Sequence, residues 1–333
     1  MLIKVFKTSF LLQYILLLIL GGLLWWVSFF YPGTIDLQIN PYLTPGYALL
    51  DNFIAVNMLT GTISAFSLIM IGAFFLNFIL AKFALIPKNT LIPGLVYIVF
   101  MSHSTSLLYF HPVVIPAFLM IVVLYFLFQV YTATEAYAQI FNSGFIIAIA
   151  SFFYFPSFYL ILVVWISFIV FRLYYWREWL IVFFGFLTPF LFLWTYFFWI
   201  DELHLVFGSY AEYFSGLKPF DFDLQFSILN YIVSAILIIF VLWSVFLVAG
   251  DLNEKTISVR KGYWLLFWFF IIATLTNIIA CNFFRVHQVL LFIPSTAFIA
   301  YSFLRSHKTL WMDLFFSLLV ILILIKNFII VFE

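Results

Sequence analysis

Few residues in this chain of 333 could do chemistry, because 67% are hydrophobic and only 8% are charged. Those that could fall in three places. Asp36 follows the first apolar stretch behind a Tyr-Pro-Gly-Thr-Ile segment, and Asp51 closes the same loop. A carboxylate pair there could serve as general base and divalent-metal ligand, although Asp51 reads more simply as solvated loop charge. The segment CNFFRVHQ sets Arg285 and His287 in a tight connection between apolar runs. A guanidinium fork at that place would hold a phosphate; an ion pair with Asp36 or Asp201 is the alternative. The segment MSHSTS puts His103 between two serines inside an apolar run, where it either bonds a neighbouring helix or forms the polar wall of an outward cavity. A carboxylate to deprotonate an acceptor hydroxyl and positive charge to meet a departing phosphate are the parts of a transfer reaction.

Other chemistries lack their residues. The five histidines show no His-x-x-His or His-x-x-x-His spacing, which argues against a histidine-rich iron oxygenase. A Gly-Lys-Ser phosphate loop, a Gly-x-Ser-x-Gly elbow and a Cys-x-x-Cys pair are absent, so no nucleotide motif is present. Cys281 is the one cysteine and cannot make an internal disulfide. A net charge of +1 gives no basic field for nucleic acid. A channel or proton pump would put ionisable residues in the middle of several spans. Only His103 approaches that; Lys326, in the last span, is expected to snorkel outward to Glu333 or a lipid headgroup.

What must position these residues is a bilayer, since a soluble domain carries roughly 25% charged residues. A crossing takes about 20 apolar residues. The expected fold is an all-α polytopic membrane domain over 1–333 with about eleven spans. They run near 11–31, 55–81, 91–110, 113–130, 139–155, 157–172, 179–199, 226–249, 263–281, 288–304 and 311–331. The N-terminal run, with Lys4 and Lys7 ahead of it, reads as a retained first span rather than a signal peptide. The fifth and sixth spans form one uncharged run broken only at Pro156, either a hairpin or one kinked helix.

Charge placement favours the hairpin. With it, Lys4, Lys7, Lys82, Lys88, Arg172, Arg177, Lys255, Arg260, Lys261, Arg305 and Lys308 share the side of the N-terminus, as short cytoplasmic loops require. Lys218 and Arg285 stay outside. The N-terminus is then cytoplasmic and the C-terminus external. Asp251, Glu254 and Lys255 read as solvated inner-loop charges. Two outer loops, 31–52 and 201–225, are aromatic and acidic.

The stretch FNSGFIIAIASFFYFPSFYLILVVWISFIVF resembles the short helix pair of C-type glycosyltransferases, membrane enzymes that take sugars from polyprenyl phosphate donors. Gly144 and Pro156 match. Tyr154 stands where the family has a lysine that meets the lipid phosphate, and Asp36 falls where it has an acid acting as base or metal ligand. The likeness covers about residues 1–200, leaving a C-terminal helix bundle over about 226–333. With its FNSGF, FPSF and WREW segments the whole chain also resembles an uncharacterised family of polytopic inner-membrane proteins of Bacteroidetes-type bacteria. These resemblances imply an inner-membrane protein of cell-envelope biogenesis acting on a polyprenyl-linked saccharide at the outer leaflet. Asp36 would be catalytic, and Arg285, His287, His103 and Tyr154 would bind substrate. The rival expectation is a non-catalytic subunit or scaffold of a secretion, motility or polysaccharide-export complex, with a membrane-protein partner. A transporter or flippase is the third.

Overall fold

The computed structural model describes residues 2–31, 44–46, 50, 58–133, 135–215, 228–280, 288–305 and 309–329. Among them every regular element is helical and none is a strand. The helices are α1 (Leu2–Phe6), α2 (Leu11–Leu24), α3 (Trp26–Phe30), α4 (Met58–Lys82), α5 (Ile92–Met101), α6 (Val114–Thr132), α7 (Tyr137–Phe153), α8 (Ile161–Phe171), α9 (Trp176–Trp199), α10 (Leu203–Ser215), α11 (Ile228–Asp251), α12 (Ile257–Ala280), α13 (Val289–Arg305) and α14 (Thr309–Ile329). Six of these, α4, α6, α9, α11, α12 and α14, contain windows long and apolar enough to cross a membrane. Five shorter apolar segments occupy 11–24, 92–101, 137–153, 155–171 and 289–305. Backbone groups with no water to bond must bond within the helix, and this is the architecture of a helical membrane protein.

The third expected span is shorter than its hydropathy suggests. α5 has 10 residues, all buried, so it covers about 15 Å, half the hydrocarbon thickness. Its start is tied to α1: the Leu91 N–H donates to the Phe6 carbonyl at 2.9 Å, and the Thr90 hydroxyl does so at 3.2 Å. Past Met101 the chain makes a 3-10 turn at Thr105–Leu107 and leaves helix until α6. Irregular backbone at this depth persists only where protein surrounds it. Ser102, His103, Ser104, Leu107, Leu108 and His111 are accordingly buried.

Pro156 marks a true reversal. α7 ends at Phe153, Tyr154 is extended (φ −147°, ψ 100°), and a 3-10 segment, Phe155–Leu160, leads into α8. α7 and α9 then run parallel: Phe141 meets Gly185, Gly144 meets Val182 and Phe186, and Phe152 meets Phe190. Two helices separated by a third can be parallel only if the third runs back. The end of α8 also gathers with other helix ends, since Phe83, Phe128, Phe171, Ser258 and Gly262 line one small cavity.

The bundle thus has two ends. At the first, the Ile3 N–H donates to Asp313 Oδ1 at 2.9 Å, joining α1 to the start of α14. At the second, the Tyr109 hydroxyl donates to the Tyr31 carbonyl at 3.4 Å and Trp26 packs on Phe328 with ring centroids 5.6 Å apart; Ser102 and Gln288 lie toward the same end, in contacts described below. The described chain begins at one end and α14 finishes at the other. Segment 203–215, within the expected second loop, is the helix α10. It packs Tyr210, Tyr213 and Phe214 around Phe155, with ring centroids 4.7–5.9 Å apart.

Candidate functional site

The richest polar group inside the apolar bundle lies toward the second end, where α2, α5, α13 and α14 converge. Trp25 interrupts the first span between α2 and α3, and its indole Nε1–H donates to Ser102 Oγ at 3.1 Å. The Ser102 hydroxyl in turn donates to the Ile98 carbonyl at 2.8 Å. His103, at 3% exposure, donates from Nδ1 to the Phe100 carbonyl at 2.7 Å. A carbonyl can only accept, so Nδ1 carries a proton. Gln288 Nε2 points at His103 Nε2 from 3.4 Å. Phe292 and the His103 ring meet nearly at right angles with centroids 5.3 Å apart, and Phe292 stacks on Phe100 at 4.9 Å.

α14 supplies the charge. Lys326 has no exposed surface, and its ammonium donates to the His103 carbonyl. The expected outward snorkel is overturned: the side chain turns into the bundle because a carbonyl freed by the end of α5 is there to receive it. Asn327, also fully buried, donates to the Leu24 carbonyl at 3.4 Å, while its Oδ1 and the hydroxyl of Ser28 have no bonded partner among the described residues. Asp313 sits 13 residues below Lys326 on α14, so the ammonium lies about 20 Å from the first end. That depth is within about 30 Å of hydrocarbon and nearer the second end. An ionised group there costs several kcal/mol unless something holds it.

Comparison with family models, curated proteins and solved structures gives no match to this chain. The site must therefore be read from its own groups. It offers a cation, an imidazole, two amides and two hydroxyls, arranged as a seam through four helices. Such a set can hold an anionic oxygen and relay a proton. Among the described residues no three His, Cys, Asp or Glu side chains gather to hold a metal.

Of the residues expected at the site, His103 belongs to this seam. Asp36, Arg285 and His287 lie outside the described residues, with Gln288 the first described residue after His287. Tyr154 belongs to a different corner. It is buried at the reversal between α7 and α8, where its carbonyl accepts from the Ser157 N–H at 3.0 Å. Lys326, Asn327, Gln288, Trp25 and Ser28 were not singled out as site residues by composition or spacing. The signal that could have found them is the adjacent Lys-Asn pair inside the otherwise apolar LLVILILIKNFI, since polar residues within spans face protein more often than lipid. Asp251 also departs from expectation. It is buried, accepting from the Tyr301 hydroxyl at 2.8 Å and pairing with Arg305 at 2.7 Å.

Proposed function

We propose that this chain is a multi-pass protein of a bacterial inner membrane that acts, in the manner of a C-type glycosyltransferase, on a polyprenyl-phosphate-linked saccharide at the outer leaflet. In this reading the six long and five shorter apolar segments make eleven crossings, with the N-terminus cytoplasmic and the C-terminus outside. The basic residues on described segments near the first end, among them Lys4, Lys82, Lys88, Arg172, Lys255 and Arg305, support that orientation. The observation that carries the functional reading is the buried Lys326 ammonium on the His103 carbonyl, with Gln288, the residue that follows His287 in sequence, on the His103 ring.

A phosphate leaving a sugar develops negative charge, and fixed positive charge in a water-poor site stabilises it far more than in bulk. Lys326 and Arg285 would supply that charge. Asp36 would take the acceptor proton or hold a divalent metal, and His103 would line the cavity. The test is transfer from a polyprenyl-phosphate sugar donor in proteoliposomes. Asp36→Asn, Arg285→Ala and Lys326→Met should each lower the rate by about 10²-fold or more at equal membrane abundance. Full activity in the Asp36 and Arg285 variants overturns the reading.

One observation favours the scaffold as a second reading. α9 and α11 are the least buried of the six long helices, and α9 exposes Phe184, Phe192, Tyr196, Phe198 and Trp199. A membrane-protein partner would cover such a face. Purification in gentle detergent separates the two readings: a stoichiometric partner favours the scaffold, and a lone chain carrying a polyprenyl lipid favours the enzyme.

A further inference from the structure

A second polar site, independent of the one above, lies at the opposite end of the bundle. A cleft of about 620 Å³ opens between the 83–91 connection, the start of α12 and the end of α13. One wall is apolar, with Leu85, Ile86, Val259 and Leu304; the other carries Lys88, Lys255 and Arg305. Two of the three cations, Arg305 and Lys255, are held in place. Arg305 is fixed by its 2.7 Å pair with Asp251, and the Tyr301 hydroxyl shares the same carboxylate oxygen at 2.8 Å. Lys255 sits over the Tyr301 ring, 5.0 Å from its centroid. Asp251 is thereby engaged behind the cleft, and Glu254 is the one carboxylate on its lining. The lining charge is +2, and with Asp251 counted it is +1.

We propose that this cleft binds the phosphate of a membrane phospholipid, with the headgroup on Lys88, Lys255 and Arg305 and the first acyl carbons along Val259 and Leu304. An apolar wall joined to a group of cations at the end of a membrane bundle matches an amphipathic anion. Basic pockets between spanning helices recognise lipid headgroups in this way, and the volume lies in the range of small-molecule sites. A soluble phosphate would use the cations and leave the apolar wall idle.

The whole chain, purified and delipidated in detergent, is titrated with phosphatidylglycerol and read by native mass spectrometry. The double variant Lys88→Gln/Lys255→Gln should bind about thirtyfold more weakly. Val259→Trp, which fills the apolar wall and alters no charge, should also weaken binding, with the melting temperature of both variants near that of the parent. Diacylglycerol, which lacks the phosphate, should not compete. Equal binding by parent and double variant overturns the proposal, as does competition by diacylglycerol. Displacement of the lipid by millimolar inorganic phosphate would overturn its assignment to a lipid.

Discussion

Buried polar side chains decide the energetics here residue by residue. Asp313 is 1% exposed and receives the Ile3 N–H. Asp313→Ala would leave that donor without a partner at a cost of about 1–3 kcal/mol. The expected outcome is release of α1, seen as faster proteolysis ahead of residue 11, whereas Asp313→Asn keeps an acceptor and should protect. Trp25→Phe keeps the ring that packs 5.7 Å from Phe66 but removes the donor to Ser102. A loss of about 1 kcal/mol in detergent unfolding is expected. His103 was legible from the sequence because serines flank it. Lys326 was misread because hydropathy gives the distance of a lysine from the end of a span and says nothing of which neighbour faces it.

Helix pairing is the next scale, and glycine controls one pair. A Cβ on Gly144 would stand 2.5 Å from the Val182 carbonyl oxygen, and one on Gly185 would stand 2.4 Å from that of Phe141. Both obstacles are backbone, so the side chains cannot swing aside and the helices must part. Gly144→Ala or Gly185→Ala should destabilise the α7–α9 pair by about 1–3 kcal/mol. Gly22 and Gly208 meet nothing within 4 Å. Alanine there should be neutral or raise stability by up to about 1 kcal/mol through helix propensity. Thermal unfolding in one detergent would rank all four. Gly144 is visible in the sequence, yet its partner is not, because an apolar helix without a polar face leaves its packing azimuth unwritten.

At the scale of the molecule the chain reversal at Pro156 sets the side of everything after it. In a Cys281→Ser background, an impermeant maleimide should label Tyr31→Cys from outside intact cells. Lys88→Cys and Arg177→Cys should react only after permeabilisation. Labelling of Arg177→Cys from outside would mean that α7 and α8 cross as one helix, against the parallel packing of α7 on α9. The sequence by itself determined that this is a helical membrane protein and where its apolar segments lie. Segment length and charge placement act along the chain, and a bilayer reads them one segment at a time. Only the tertiary structure decided that α5 stops half-way, that Asp251 is locked by Arg305 and Tyr301, and that Lys326 turns inward beneath His103. Those outcomes depend on which carbonyl, ring or backbone comes to lie opposite, and in a uniformly apolar sequence close packing and hydrogen bonding between distant segments make that choice.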